Sequence, residues 1–471
     1  MRYRVVIGAE AHVQLNTNSK LFCSCSAEFG GEPNSRCCPV CLGFPGVLPV
    51  LNRKAVEYTI LTALALNCQV AEECRFARKN YFYPDLPKNY QISQYEEPIG
   101  NDGVLEMPID GGIKPVRIRR VHLEEDTGKL IHTAQGTSLV DFNRCGVPLM
   151  EIVAEPDIES AQEARAYYAK LHSLLQYLGV STGSMEEGSL RCEPNISVMP
   201  EGADELGTKV ELKNLNSFRA VLLGLQYEAK RQIECLERGE RIVQETRRWD
   251  EGKGVTASMR TKEWAHDYRY FPEPDLVPVR IEREWLDAIK AKLPELPEAR
   301  RQRFVAEYGL PEYNATLLID SKPLADFFEE CVAMFPDPKT VSNRLIDTSN
   351  LVQEGLSGRG QDWMSVQFVH LLKLQAEGTV NALTAKKVLE EMVNTGEGAS
   401  DIIHRDGLTQ VSAEGALQAV IDQVLQDNPE VVQRVKAGKT QAKAFLVGQV
   451  MKATNGRANP KIVNELLDKA L

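Results

Sequence analysis

From Ile7 to Leu15 the chain reads Ile-Gly-Ala-Glu-Ala-His-Val-Gln-Leu, apolar at Ala9, Ala11, Val13 and Leu15 and polar at Glu10, His12 and Gln14. Side chains alternate across a strand, so this period of two predicts one core-facing side and one side carrying a carboxylate beside an imidazole. Lys114 to Leu123, Ser138 to Phe142 and Lys209 to Lys213 are further strand-like runs, set between turns. The period lengthens to that of a helix at a few punctuated places. Asn52 is placed to cap a helix containing the apolar run Tyr58 to Leu66. Ser160 and Glu163 form a capping box ahead of Ala164, Tyr167, Leu171, Leu174, Leu175 and Leu178, and Gly179 ends that stripe. Ser217 opens another helix, carrying Val221, Leu225, Ile233 and Leu236 up to Gly239. Strands and helices without a regular βαβ rhythm predict an α+β fold with a largely antiparallel sheet.

After Leu293-Pro-Glu-Leu-Pro297 the pattern becomes helical throughout. Asp362 to Gln375 and Thr384 to Asn394 read as amphipathic helices. Beyond Ser412, Leu417, Val420, Ile421, Val424 and Leu425 form one stripe. Asn428-Pro429 and Asn459-Pro460 predict helix starts, Gly438 and Gly456 helix stops. Three units follow: an α+β domain of catalytic size over 1–293, a helical connector over 294–405 and a small helical tail over 406–471.

Composition changes this picture in three respects. No apolar run approaches the roughly 20 residues of a membrane helix, and strand-like sequence begins at once, so no membrane association and a cytoplasmic location are expected. Thiols stay reduced there, which turns clustered cysteines toward metal binding. The net charge of −11 argues against bulk nucleic-acid binding, yet Arg434, Lys436, Lys439, Lys443, Lys452, Arg457 and Lys461 form a stretch with no acidic residue. That stretch suits a docking arm for phosphates; a solvated helix face is the plainer reading.

Five cysteines fall between Cys23 and Cys41. Cys23, Cys25, Cys38 and Cys41 have the two-pair spacing of a tetrahedral zinc site, with Cys37 spare; unmetallated thiols and a redox pair are the alternatives. Four thiolates leave no open position, so such a zinc is structural and the chemistry lies elsewhere. Glu10 with His12, the run His122-Leu-Glu-Glu-Asp126 and Glu151 between apolar neighbours offer the oxygen-rich set that suits Mg²⁺. No phosphate-cradling glycine motif is present, so any nucleotide must rest on basic side chains, with Arg78, Lys79, Arg191, Lys209 and Lys213 as candidates. Nucleophilic catalysis has little support: there is no G-x-S-x-G, and Cys145 reads as a packed thiol.

The run Val140-Asp-Phe-Asn-Arg-Cys-Gly-Val-Pro-Leu-Met-Glu-Ile152 closely resembles the signature of the B subunits of the bacterial tRNA-dependent aspartyl/glutamyl amidotransferases. Glu10-Ala-His12, Glu32-Pro-Asn34, Pro45-Gly-Val-Leu-Pro49, Lys79-Asn-Tyr-Phe-Tyr-Pro84, His122-Leu-Glu-Glu-Asp126 and Arg269-Tyr-Phe-Pro-Glu-Pro-Asp275 resemble further family blocks in order, and the end of the chain is similar to a YqeY-type module. The resemblance implies a catalytic domain like glutamine synthetase in fold. It implies ATP-dependent conversion of glutamate on the tRNA for glutamine, or aspartate on the tRNA for asparagine, to the amide. ATP, Mg²⁺ and a structural Zn²⁺ are the implied cofactors. An amidase-type glutaminase (the A subunit), a small C subunit completing a heterotrimer, and misacylated tRNA are the implied partners. By the same analogy Glu10, His12, Glu124, Glu125 and Glu151 stand at or near the magnesium, and Lys79 and Arg191 hold phosphates. Arg434, Lys436, Lys439, Lys443, Lys452 and Arg457 meet tRNA. Glu193 departs from a position where the family often has Asp. A zinc-containing, tRNA-binding scaffold without catalysis is the alternative.

Overall fold

A computed structural model describes residues 2–109, 112–261, 268–409, 414–436, 441–454 and 458–471. The chain divides into two compact units, Met1–Leu296 and Pro297–Leu471.

The first unit is built on one nine-stranded sheet. Its strands in chain order are β1 (Tyr3–Gln14), β2 (Gln69–Val70), β3 (Gly100–Ile109), β4 (Gly112–Glu125), β5 (Pro148–Ala154), β6 (Leu190–Pro200), β7 (Val210–Lys213), β8 (Glu245–Asp250) and β9 (Val255–Thr261). Spatially they run β9-β8-β7-β6-β1-β5-β4-β3-β2, and every pair is antiparallel except β7 with β8. β1 lies between β6 and β5 at the centre, so the alternating stretch at Ile7 to Leu15 becomes the spine of the sheet.

One face of that sheet is the core. Ala9, Ala11 and Val13 of β1, Leu123 of β4 and Ile152 of β5 are fully buried in one apolar cluster with helices α1 (Arg53–Ala65), α2 (Ala161–Leu178) and α3 (Phe218–Glu237). Each fully buried Val, Leu or Ile side chain there contributes roughly 1.5–3 kcal/mol, an alanine less. The helices start where short polar side chains satisfy free backbone N–H groups. Asn52 accepts from Lys54 and Ala55, Ser160 from Glu163 and Ser217 from Ala220. Gly179 ends α2 in the left-handed conformation, at φ 66°. Tyr168 of α2 is fully buried and donates to the carbonyl of Glu10, tying the helix layer to the spine.

A three-stranded sheet, with Ala77–Asn80 between Phe271–Pro272 and Tyr90–Ser93, carries Lys79. Its Ser93 reaches the large sheet by donating to Glu124. The second unit holds twelve helices among the described residues, with one apolar cluster spanning Phe304 to Ile403 and another spanning Leu417 to Leu467. Helices begin at Pro429 and Pro460, as their Asn-Pro pairs predict; Ser412, Gly438 and Gly456 lie outside the described residues. The whole is mixed α and β with antiparallel-dominated sheets followed by a helical part.

Candidate active site

Antiparallel register sets the site. Arg191 of β6 pairs with His12 of β1, His12 with Glu151 of β5, and Glu151 with His122 of β4. Directly paired residues project to the same face, so these four form one row across the polar side of the sheet. Glu124, two residues beyond His122 on β4, joins from the next row. Ligand-type atoms of His12, Glu124 and Glu151 all lie within 4.8 Å of one another. His12 Nε2 stands 3.9 Å from Glu124 Oε1 and 3.7 Å from Glu151 Oε2; His122 Nε2 stands 3.0 Å from Glu151 Oε2.

Two carboxylates this close repel, so compensating charge must be near. Burial pushes Glu151 upward, but His122 and His12, followed by Lys79, outweigh it and hold the carboxyl well below its usual range. Glu124 is likewise lowered: burial and the Glu151 charge oppose ionisation, while His122 and Lys79 favour it. Burial disfavours a charged His122, yet the two carboxylates raise it above 6.5. Lys79 is raised too, since Tyr270, Glu124, Tyr81 and Glu151 together overcome its desolvation. Its Nζ lies 5.0 Å from the ring centre of Tyr268 and 5.8 Å from that of Tyr81. A half-buried site with two ionised carboxylates, an imidazole and a facing ammonium can take up a divalent cation and bring an anion to it.

Three expected members stand apart from this group. Glu125 is on the opposite face of β4 from Glu124, because neighbours on a strand point to opposite sides. There it is ion-paired with Lys88 and accepts from the Ile92 N–H. Arg191 is ion-paired with Asp126, 2% exposed, and donates to the Gly188 carbonyl, so its guanidinium is already partnered. Burial opposes the charge on Asp126, but Arg191, Arg144 and Gln14 draw its pKa down to about 2. Glu10 shares the polar face of β1 but lies opposite Glu193 and accepts from Asn195. Glu193 is paired with Lys213 at 2.6 Å, and Arg78 with Glu273 at 2.7 Å. Gln14, Arg144, Arg191, Glu193 and Lys213 border a cleft of about 640 Å³. His122 and Asp126 lie in the acidic run read from the sequence, but neither was singled out there as a site residue. The signal for His122 was present, since it shares strand parity with Glu124; that for Asp126 was not, since its partner is distant in sequence.

The cysteines gather separately. One sulfur each from Cys23, Cys25, Cys38 and Cys41 lies within 4.8 Å of the others, and Cys37 is not in the group. Cys38 and Cys41 sulfurs are 3.9 Å apart, close to the roughly 3.8 Å edge of a tetrahedron with Zn–S bonds near 2.3 Å. A hydrogen bond with Cys23 is the largest influence lowering Cys41, to about 4, with the Cys38 N–H at 3.2 Å and Lys20 helping against burial. The same hydrogen bond and burial raise Cys23. The donor set therefore fits zinc. Cys145 is buried, 3.4 Å from the Cys41 carbonyl, and raised by its desolvation, as a packed thiol should be.

In the tail, Arg434, Lys436 and Lys452 are exposed, whereas Lys443 pairs with Asp468 at 2.6 Å; Lys439 and Arg457 lie outside the described residues. No helix among the described residues is long and apolar enough to cross a membrane.

The class to which this fold and site belong is that of the GatB/GatE catalytic domain, whose family profile matches residues 5–287; a second profile, described as the GatB domain, matches residues 326–471. The B subunit of the aspartyl/glutamyl-tRNA(Asn/Gln) amidotransferase of Thermodesulfovibrio yellowstonii is 54% identical over 473 residues, covering all of both chains. The proteins of the same name from Carboxydothermus hydrogenoformans and Moorella thermoacetica are also 54% identical, the first over 99% of this chain and 98% of its own, the second over all of both. With such identity along the full length, the chain belongs to the family of aspartyl/glutamyl-tRNA(Asn/Gln) amidotransferase B subunits.

Proposed function

We propose that this chain is the carboxylate-activating member of a tRNA-dependent amidotransferase, a glutamine-hydrolysing enzyme of the ligase type. It acts on glutamate misattached to the tRNA for glutamine, aspartate misattached to the tRNA for asparagine, or both. A free carboxylate resists ammonia because an oxide anion would have to leave. Transfer of the γ-phosphoryl of ATP to a carboxylate oxygen gives ADP and an acyl phosphate; ammonia then adds at the carbonyl carbon, loses a proton, and phosphate departs. The obstacle is the approach of two anions.

The observation that carries this reading is the convergence of His12, Glu124 and Glu151, with Lys79 facing them, in a chain alike over its full length to proteins of that name. His12, Glu124 and Glu151 would hold Mg²⁺, which screens phosphate charge when bound. Lys79 meets the incoming anion, and the tyrosines around it limit water. Glu10 stands at the edge of this site, and Arg191 shapes the floor of the cleft through Asp126. The glutamine synthetase likeness expected of the family belongs to the same reading, since that chemistry also phosphorylates a carboxylate before amination. Cys23, Cys25, Cys38 and Cys41 hold a closed structural zinc. Residues 1–293 carry the chemistry, 294–405 connect, and 406–471 grip tRNA. A glutaminase A subunit and a small C subunit complete a cytoplasmic heterotrimer.

The test is ATP hydrolysis by the assembled complex, stimulated by glutamylated tRNA. Glu151→Ala should lower it by about 100-fold or more, the scale of several kcal/mol of lost charge stabilisation, while complex assembly and tRNA binding persist. Full turnover in that variant would overturn the proposal.

A further inference from the structure

The Glu151 carboxylate has two imidazoles at one oxygen. Its Oε2 is 3.0 Å from His122 Nε2 and 3.7 Å from His12 Nε2. His122 reaches Glu124 as well, 3.6 Å from Oε2, whereas His12 faces Glu124 at Oε1, 3.9 Å away. His12 belongs to the triad whose ligand atoms converge within 4.8 Å, and His122 does not. His122 is only 2% exposed, and its Nδ1 has no hydrogen-bond partner. The ring therefore meets the carboxylates through Nε2, with Nδ1 left unpartnered. Backbone register holds it there, because His122 pairs with Glu151 across the β4–β5 ladder and Glu151 with His12 across the next.

We propose that His122 is a positioning residue of the metal site: its Nε2–H donates to Glu151 and keeps that carboxylate turned for cation binding with His12 and Glu124. The inference rests on the reading that His12, Glu124 and Glu151 bind a divalent cation. A carboxylate ligand can rotate, and a cation must stop that rotation in order to bind. A buried donor on one oxygen stops it beforehand, which is why the partners of metal ligands commonly matter by about 10–100-fold in affinity. Burial strengthens the effect, since water cannot replace the missing donor at a site closed on that side.

Glutamine and asparagine separate the two ring nitrogens, because a Gln amide nitrogen reaches about where Nε2 stands and an Asn amide nitrogen only to Nδ1. The test is a Mn²⁺ titration of the full-length protein followed by electron paramagnetic resonance, with nitrogen couplings read from spin-echo modulation. His122→Gln should bind Mn²⁺ within about threefold of the parent, and His122→Asn and His122→Ala about 10–100-fold more weakly. The nitrogen coupling should persist in His122→Gln and vanish in His12→Gln. Parent-like affinity in His122→Ala would overturn the proposal. So would His122→Gln binding as weakly as His122→Ala with loss of a nitrogen coupling, which makes His122 a direct ligand. Parental Mn²⁺ binding that ignores Glu151→Ala would overturn the cation reading itself; sensitivity to Glu151→Ala but not to His122→Ala would overturn this inference alone.

Discussion

Arg191 and Asp126 form a pair whose partners are unequally buried: the Asp126 side chain is 2% exposed and that of Arg191 25%. Breaking a buried pair costs roughly 3–5 kcal/mol, because the remaining charge stays desolvated. Arg144 remains 3.6 Å from Asp126 and Gln14 donates to it at 2.7 Å, which places Arg191→Ala near the low end, about 3 kcal/mol. Urea unfolding should show that loss, and Arg191→Ala combined with Asp126→Asn should recover most of it. An Arg191 that served phosphate alone would leave the midpoint unmoved and raise only the KM for ATP. The residue was visible in the sequence as a cation without a partner; the buried carboxylate that claims it was not.

At the scale of elements, α2 and α3 lie together on the core face, and His172 of α2 meets Phe218, the first residue of α3, edge to face at 5.6 Å. Gly183 closes over the ring: at φ 68° a Cβ there would come within 2.7 Å of it. Burial lowers the His172 pKa below 6.5. The unfolded chain therefore gains a proton near pH 6.5 while the folded one still resists. The stability contributed is present above that pH and lost as pH falls through the folded value. In denaturant unfolding at pH 7.5, 6.5 and 5.5, His172→Gln should lose less stability toward low pH than the parent, a difference that isolates His172 from His122, whose raised pKa acts in the opposite sense. An equal slope in both proteins would refute the assignment. Helix boundaries were legible here because Asn52, Ser160, Ser217 and Gly179 act within a turn of their own position. The Gly183 lid was not, since it depends on packing.

On the scale of the molecule, the apolar cluster from Leu417 to Leu467 is separate from the one ending at Ile403 and from the core under the large sheet. Removing residues 412–471 should therefore spare the fold and Mn²⁺ binding of the first unit. It should weaken tRNA binding by the assembled complex and make the fall of log K with log salt shallower by about 0.7–0.9 for each phosphate no longer engaged. Arg434, Lys436 and Lys452 are exposed for such a role; Lys443, paired with Asp468, contributes less. Filter binding across a salt series reads both quantities, and an unchanged slope would refute the docking role.

What the sequence determined by itself is local. Period two made β1 a strand with Glu10, His12 and Gln14 on one face, capping residues placed the helices, and four cysteines at close spacing announced a tetrathiolate site. What only the tertiary structure decided is which polar residues meet. His12, Glu151 and His122 align because antiparallel ladders bring distant segments into one register. Glu124 enters that group and Glu125 leaves it for Lys88 because strand parity, once the register is set, sends neighbours to opposite faces. Alternation is a property of a few consecutive residues, whereas register belongs to segments far apart in the chain, and it is register that turns a scatter of carboxylates and histidines into one site.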